Sequence, residues 1–192
     1  MAHVYFPNGG VISVTAVLAD GTMIETATVG HEGMVGIEAF FGDHPIAPGQ
    51  TMMQVPDTNA EMLSVTAFRR ELGRQGALST LMGRYAQTSV AQVMQATACN
   101  ARHNVHERCC RWLLMTHDRV GRNDFALSQE FLAMMLGVRR QSVTLVAGTL
   151  QEAGLIVYKH GQITVLDRSA LEAGSCECYG LMRQRFETLR TG

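Results

Sequence analysis

Residues 127–156 read LSQEFLAMMLGVRRQSVTLVAGTLQEAGLI, and this stretch decides the fold class of the second half of the chain. Ser128 is a good N-cap, and the apolar residues after it recur at helical spacing, which predicts a short helix ending at Gly137. A second helix is predicted from Arg139 to about Ala153, just before another glycine. Two short helices joined by a tight turn that contains glycine are typical of a helix-turn-helix.

The outward face of the second helix begins with side chains that can donate hydrogen bonds. These are Arg139, Arg140, Gln141, Ser142 and Thr144. A recognition helix presents its N-terminal residues to base edges, where arginine suits guanine and glutamine suits adenine. The positive end of the helix dipole also favours nearby phosphate. The pattern therefore indicates DNA binding, with an ordinary helical hairpin and a solvated polar face as the alternative.

The sequence after the second helix, LIVYKHGQITVL, predicts two strands joined by a turn. Lys159 and His160 fall in that turn, so the hairpin has a basic tip. A basic hairpin beside a helix-turn-helix is a wing that can contact backbone phosphate. The wing favours DNA binding over the plain helical hairpin.

The N-terminal part of the chain predicts β-structure over residues 3–67. The runs VISVTAVL and MIETATVG are separated by ADGT, whose Asp20-Gly21 pair is typical of a hairpin. TMMQVP and AEMLSVT supply two further strands, and short strands at this spacing indicate a small barrel or sandwich. Because a strand begins almost at the first residue and the strands are few for a closed domain, we expect a truncated N-terminus.

From Ala67 to Val120 the pattern becomes helical, and a break around residues 102–104 predicts two successive helices. In the first of them, apolar and small residues recur at steps of three and four. This stripe can face the protein's own core or a second copy of the same helix. The predicted dimer-interface residues are Leu78, Leu81, Met82, Tyr85, Ser89, Gln92, Val93 and Ala96.

The charge distribution indicates two modules within 192 residues of net charge −1. Residues 1–99 carry four arginines against eight acidic residues, whereas residues 100–192 carry twelve Lys and Arg against nine acidic residues. A phosphate-facing surface is therefore expected in the second half. Since no apolar run could span a bilayer and no secretory signal opens the sequence, we expect a cytoplasmic protein with reduced thiols and no membrane partner.

The stretch 127–156 and the β-wing after it resemble the Crp–Fnr family of bacterial transcription regulators. The likeness covers nearly the whole chain and implies an α+β fold. Its parts would be an N-terminal cyclic-nucleotide-binding-like β-roll, which is jelly-roll-like, a long dimerisation helix and a C-terminal winged helix-turn-helix. The implied boundaries are 1–74 for the β-roll, 75–103 for the dimerisation helix, 104–170 for the winged helix-turn-helix and 171–192 for a tail helix.

The same resemblance implies a homodimeric transcription regulator that binds inverted-repeat sites in double-stranded DNA, with RNA polymerase as a candidate partner. Carried over residue by residue, Arg140 falls at the family's guanine-reading arginine, with Gln141 and Thr144 beside it. Ser128 and Gln129 fall at the cap of the first helix, which contacts the DNA backbone in the family.

The sequence departs from the family where cofactors would bind. In the stretch VGHEGMVGIEAFFGDHPIAPGQTMM, Gly36 is followed by Ile37 instead of glutamate, and no arginine occurs between Met1 and Phe68. A cyclic phosphate without a cationic partner would be poorly held, so we expect no cyclic-nucleotide cofactor and assign no effector. No cysteine precedes Cys99, so an iron–sulfur cluster is not expected either.

Cysteine and histidine spacing predicts no metal site. Cys176 and Cys178 are too few for structural zinc without distant partners, and we interpret them as part of an ordinary tail helix. His103 and His106 lie three residues apart near the helix break, but this is not a metal-ligand pattern. No catalytic motif is present, so we predict no catalytic residues and no enzyme.

Two other functions stay open at this point. One is a small-molecule-binding module in which the β-roll binds the ligand and the recognition of DNA sequence is lost. The other is an adaptor that uses the winged helix as a protein-docking surface, although the paired arginines Arg139 and Arg140 at a helix start argue against it.

Overall fold

The structure is a computed structural model that describes residues 2–42, 49–56 and 59–191. Its strands are β1 (His3–Pro7), β2 (Val11–Val17), β3 (Met23–Val29), β4 (Gln50–Val55), β5 (Ala60–Ser64), β6 (Asp124–Ala126), β7 (Ile156–Lys159) and β8 (Gln162–Val165). Its helices are α1 (Val65–Gly73), α2 (Ala77–Arg102), α3 (Val105–Val120), α4 (Gln129–Leu136), α5 (Arg140–Glu152), α6 (Arg168–Gly174) and α7 (Cys178–Thr191), with a short 3-10 helix at Ile37–Phe41. Within the described ranges, no helix combines the length and the apolar character needed to cross a membrane.

Two antiparallel sheets form the N-terminal half. β2 lies between β3 and β4 in one sheet, and β1 pairs with β5 in the other. The predicted β2–β3 hairpin is confirmed, and the Asp20 carboxylate accepts a hydrogen bond from the backbone N–H of Thr22 at 2.9 Å within its turn. The last strand ends at Ser64, whose hydroxyl accepts from the N–H of Ala67. This cap starts α1 two residues earlier than the sequence predicted.

The predicted break between two long helices is confirmed. α2 ends at Arg102, and Asn104 begins α3 through a reciprocal pair of hydrogen bonds with Glu107, a capping box. α3 lies at the centre of the molecule, because one continuous core joins it to both halves of the chain. That core contains Trp112, Leu113 and Leu114 of α3 together with Val11 and Val55 of the N-terminal sheet and Val143 and Leu150 of α5.

Polar contacts also join α3 to the N-terminal sheet. Trp112 Nε1 donates to Glu25 Oε1 at 3.0 Å, and Gln54 Nε2 donates to Thr116 Oγ1 at 3.1 Å. Ser13 Oγ lies 2.6 Å from Glu25 Oε2 and 2.7 Å from Gln54 Oε1. Burial raises the pKa of Glu25 to about 7, against the lowering effect of its hydrogen bonds and of two nearby arginines.

Two glycines of the GHEGMVG segment allow close packing against the long helices. A Cβ at Gly30 would overlap the side chain of Arg119, and one at Gly33 would overlap Tyr85. Arg119 uses this space to pair with Glu32, with 2.7 Å between Nη2 and Oε1. These glycines therefore serve the packing of α2 and α3.

The tail contains two helices, so the prediction of one tail helix from residue 171 is wrong. Asp167 caps α6 by accepting from the N–H of Ala170, and the first helix ends at Gly174. The chain then leaves helical geometry at Ser175 before α7 begins. α7 lies along α2, where Arg185 Nη1 donates to the carbonyl of Ala91 at 3.3 Å.

Candidate nucleic-acid interface

The two predicted short helices are present and meet at a tight turn. The Ser128 hydroxyl accepts a hydrogen bond from the N–H of Phe131 at 3.0 Å, which starts α4. Gly137 ends α4 with φ of 62°, a left-handed conformation that favours glycine. Ile24 of β3 packs against this turn, so the helix-turn-helix contacts the N-terminal sheet of the same chain.

The N-terminal face of α5 is open to solvent. Arg139, Arg140, Gln141 and Thr144 are exposed, and Ser142 is half-buried. Neither arginine forms an ion pair with any residue that the structure describes. No side chain of the described residues caps the first turn of α5, and the N–H of Ser142 donates to the carbonyl of Arg139 at 2.9 Å, which leaves the N–H groups of Arg140 and Gln141 at the helix start without a capping side chain.

A contact between α4 and α5 positions the side chains of this face. Thr144 Oγ1 donates toward Gln129 Oε1 at 2.7 Å and also lies 3.1 Å from the carbonyl of Arg140. Gln129 is half-buried at the start of α4. The predicted backbone-contacting cap and the predicted base-reading residues therefore lie on one side of the molecule.

The predicted wing is a three-stranded sheet in which β8 lies between β6 and β7. Lys159 and His160 are exposed at the β7–β8 turn. Tyr158 anchors the wing beside the two helices, because its hydroxyl donates to the carbonyl of Leu127 at 2.9 Å. Its backbone N–H also donates to Gln151 Oε1 of α5 at 2.8 Å.

Leu145 is a surface residue of α5 that the sequence analysis missed. Its side chain is 74% exposed, although Val143 and Ala147 on either side are buried. The helical period places residue 145 one turn after Gln141, and this signal was available in the sequence. A leucine offers no hydrogen-bond donor, so the donor pattern of α5 did not include it. An apolar side chain on a recognition helix can contact the methyl group of thymine.

Three arginines of the second half do not contribute to a phosphate-facing surface. Arg108, Arg111 and Arg119 of α3 are only 8%, 8% and 9% exposed. Arg108 donates to the carbonyl of Leu136, which lies at the end of α4. Part of the positive charge of the C-terminal half is therefore buried inside the protein. The exposed Arg139 and Arg140 lie on α5, and the exposed Lys159 lies on the wing.

Residues 107–173 match the family model of the Crp-like helix-turn-helix domain. The chain carries a Crp-like helix-turn-helix domain. The domain extends from α3 through α4, α5 and the wing into α6. It contains the whole exposed face of α5 described above.

Solved structures extend the likeness to most of the chain. A protein described as a Crp/Fnr-family transcriptional regulator from Eubacterium rectale has 20% sequence identity and a TM-score of 0.69, covering 90% of this chain and 80% of that one. A CRP-family transcriptional regulator from Thermus thermophilus has 22% identity and a TM-score of 0.69, covering 91% and 88%. FixK2 from Bradyrhizobium japonicum has 15% identity and a TM-score of 0.67, covering 91% and 88%. No curated protein matches the sequence significantly.

The chain thus has a Crp/Fnr-type transcription-regulator fold with a helix-turn-helix DNA-binding domain. The predicted fold class is confirmed: antiparallel sheets lie at the N-terminus, a long helix follows, and a winged helix-turn-helix lies near the C-terminus.

The predicted dimer-interface residues of α2 fall into two groups, one buried within the chain and one partly or fully exposed. Met82, Tyr85 and Gln92 are buried in the chain's own core, and Gln92 Nε2 donates to the carbonyl of Thr28 at 3.2 Å. These three side chains face the chain's own N-terminal half, which is the core alternative that the sequence left open for this stripe. The other predicted residues are the half-buried Leu78, Ser89 and Ala96 and the exposed Leu81 and Val93.

A cavity of about 340 Å³ lies between the β2–β3–β4 sheet and α2. Val90 and Met94 of α2 line it and are themselves exposed. Among its described lining residues none is Lys or Arg, and Glu38 is the charged one. Residues 43–48 of the segment compared with the family's phosphate cassette lie outside the described residues. The described walls suit an apolar, uncharged molecule, since a cyclic phosphate would need a cationic partner.

The structure also brings together four side chains that the sequence separates widely. Cys99, His103, Cys176 and Cys178 place their ligand atoms within 4.8 Å of one another. The end of α2 supplies the distant partners whose absence led to the prediction that Cys176 and Cys178 form no metal site. His106 lies elsewhere, with Nδ1 3.9 Å from the sulfur of Cys110. All five cysteines are free and buried.

Proposed function

We propose that this chain is a sequence-specific transcription regulator that binds inverted-repeat DNA as a homodimer, with one recognition helix per half-site. The observation that carries the proposal is the solvent-exposed N-terminal face of α5 within a Crp-like helix-turn-helix. In this proposal residues 1–74, 75–103 and 104–170 act as sensing, dimerisation and DNA-reading units. RNA polymerase is the partner through which such a regulator would act.

The division of labour on DNA follows from the chemistry of the exposed groups. Arg140 reads guanine, with Gln141, Ser142 and Thr144 beside it on the same helix start. Arg139 and the uncapped N–H groups of α5 bind phosphate. The DNA backbone is contacted by residues beside α5. These are Ser128 and Gln129 at the start of α4, and Lys159 and His160 at the wing tip. Phosphate contacts then supply salt-dependent affinity, and α5 supplies the choice of sequence.

The second copy docks on the apolar face that α2 leaves exposed. Val90, Val93 and Met94, which are three or four residues apart or adjacent on α2, are between 40% and 68% exposed, although each is a large apolar residue. A contiguous apolar surface of this kind marks an interaction site. A partner α2 would cover it and would also close the outer side of the cavity that Val90, Val93 and Met94 line.

The test is selection from a pool of randomised inverted repeats, followed by fluorescence-anisotropy titration of the enriched DNA. The unmodified chain should enrich a palindrome. Arg140→Ala should weaken binding by about 1–3 kcal/mol and relax specificity at one base pair per half-site. Equal losses on the enriched DNA and on random DNA would remove Arg140 from the base-reading set.

Lys159→Ala is the matched control for a phosphate contact. It should weaken binding to all sequences alike and lower the slope of log affinity against log salt by about 1. An unchanged slope would show that the wing tip does not touch phosphate.

Sedimentation velocity tests the dimer. Met94→Glu places a charge on the exposed face of α2 and should convert the dimer to a monomer, because an unpaired charge would be buried in the interface. Met62→Glu in β5 is the control, since Met62 is similarly exposed at 58% but lies outside that face. A dimer that survives Met94→Glu would move the interface elsewhere.

The cavity favours a second candidate function, a small-molecule-binding module without DNA readout. An apolar enclosure between a β-sheet and a helix is a common form of ligand site. Tight binding of an uncharged ligand together with no enrichment of any DNA sequence would favour this function over the first.

A further inference from the structure

We propose that Cys99, His103, Cys176 and Cys178 form a structural zinc site that ties the tail to the hinge between α2 and α3. The proposal goes beyond DNA binding and does not depend on it. Three thiols and one imidazole form a complete tetrahedral ligand set for Zn²⁺, and a set with all four positions from protein is typical of structural sites.

The two halves of the set come from distant parts of the chain. Cys99 lies in the last turn of α2, and His103 is the residue that follows the helix, with its backbone N–H donating to the carbonyl of Cys99 at 3.0 Å. Cys176 lies in the link between α6 and α7, and Cys178 is the first residue of α7. The backbone N–H of Tyr179 donates to the carbonyl of Cys176 at 3.1 Å, so a tight turn at the start of α7 holds the two cysteines close together. A bound ion would therefore connect the dimerisation helix to the tail.

The distances between ligand atoms suit tetrahedral zinc. The sulfurs of Cys99 and Cys176 are 3.5 Å apart, and the sulfur of Cys178 lies 3.7 Å from His103 Nδ1. Zn–S bonds of about 2.3 Å in a tetrahedron put neighbouring sulfurs about 3.8 Å apart. The three cysteines are buried and His103 is half-buried, so the protein itself encloses the centre.

The surrounding groups match the outer shell of a metal site. Nε2 of His103 lies 3.1 Å from Glu177 Oε2, which leaves Nδ1 to bind the ion while Nε2–H donates to a carboxylate. Metal-binding histidines generally have such a partner. Gln95 Nε2 donates to the sulfur of Cys178 at 3.1 Å, and an N–H donor of this kind stabilises a thiolate.

Two buried arginines offset the charge of the thiolates. Three thiolates around Zn²⁺ leave one net negative charge. Arg108 and Arg111 are each 8% exposed, and within the described chain their Nε atoms have no hydrogen-bond partner. Both guanidinium groups interact electrostatically with Cys99. A buried anionic centre would add a partner for these cations, beside the Leu136 carbonyl that accepts from Arg108 and the Glu25 carboxyl near Arg111.

The experiment uses the full chain, purified under reducing conditions. Elemental analysis after growth with zinc should find one equivalent of zinc per chain. Replacement by Co²⁺ should give the absorption of a tetrahedral cobalt site with thiolate charge-transfer bands. Cys176→Ala should lose both signals, whereas Cys109→Ala, which removes a buried α3 cysteine outside the set, should keep them.

Glu177→Gln provides a test that does not depend on the folding of a cysteine variant, because Glu177 is 70% exposed. It should weaken zinc binding roughly 10–100-fold in competition with a chelator, since an outer-shell partner is lost. A reduced chain that binds neither zinc nor cobalt would overturn the proposal. So would a cobalt spectrum unchanged by Cys176→Ala. If the metal-free chain instead forms a Cys99–Cys176 disulfide and the reduced form takes up no metal, the cluster is a redox pair and not a zinc site.

Discussion

α3 and α5 both carry arginines and lie in the same helix-turn-helix domain, but they use the arginines in opposite ways. Arg139 and Arg140 at the start of α5 are exposed, whereas Arg108, Arg111 and Arg119 of α3 are almost fully buried. The charge of α5 is available to a ligand. Inside the protein, Glu32 pairs with Arg119, and backbone carbonyls accept from Arg108 and Arg119.

This contrast shows that net charge along a sequence does not locate a nucleic-acid surface. An exposed arginine keeps its hydration and can exchange it for phosphate or a base edge. A buried arginine has lost its hydration already, and its energy depends on fixed partners. Changes around α3 should therefore alter stability first, and changes on the exposed face of α5 should alter DNA binding with little effect on stability.

The largest expected effect lies at the hinge beside α3. If the zinc proposal holds, free zinc at about 1,000 times its dissociation constant should stabilise the fold by about 4 kcal/mol. Urea unfolding with zinc buffered high and then low measures this difference. Arg140→Ala should respond to zinc as the unmodified chain does, and Cys176→Ala should not respond. Identical unfolding midpoints with and without zinc in the unmodified chain would show that zinc does not stabilise the fold.

A smaller effect is expected from pH at the contact between α3 and the N-terminal sheet. The single hydroxyl proton of Ser13 cannot serve both Glu25 and Gln54, so a protonated Glu25 that donates to Ser13 completes the network. Burial raises the pKa of Glu25 to about 7 from an ordinary 4.5. An acid with a raised folded-state pKa stabilises the fold below its ordinary pKa, and this stability is lost as pH rises through the folded-state value.

The measurement is the free energy of unfolding in urea at pH 5 and pH 8 for the unmodified chain and for Glu25→Gln. Between these values the unmodified chain should lose on the order of 2 kcal/mol more than the variant, because glutamine cannot ionise. Equal losses would mean that Glu25 does not titrate in this range. Zinc must be held constant, since thiolate ligands also respond to pH.

The smallest expected effect belongs to α5. Leu145→Ala should change the free energy of unfolding by less than about 0.5 kcal/mol, because Leu145 is exposed. It should weaken binding to the selected DNA by about 1 kcal/mol, through a lost thymine-methyl contact. Leu150→Ala on the same helix is the control and should cost about 2–5 kcal/mol of stability, since Leu150 is fully buried. An unchanged base preference in Leu145→Ala would remove Leu145 from the reading face.

The local elements of the helix-turn-helix could be predicted from sequence because each depends on neighbouring residues. Ser128 caps α4 through a contact three residues away, and Gly137 allows the left-handed turn by lacking a Cβ. The hairpin at Asp20 and the capping box at Asn104 are similarly local. In each case a short range of chain contains both the hydrogen-bond donor and the acceptor, so the spacing of residues is enough to predict the cap or turn.

The tertiary structure decided which side chains meet, because burial and contact depend on residues that are remote in sequence. The sequence shows the helical period of the apolar and small residues of α2. Packing against the N-terminal half is what buries Met82 and Tyr85 and leaves Leu81 exposed. The cluster of Cys99 with Cys176 joins positions 77 residues apart, and no local pattern could pair them. Caps, turns and helical periods depend on residues close in sequence, whereas the burial of the α3 arginines and the meeting of three thiols with an imidazole depend on how remote segments pack.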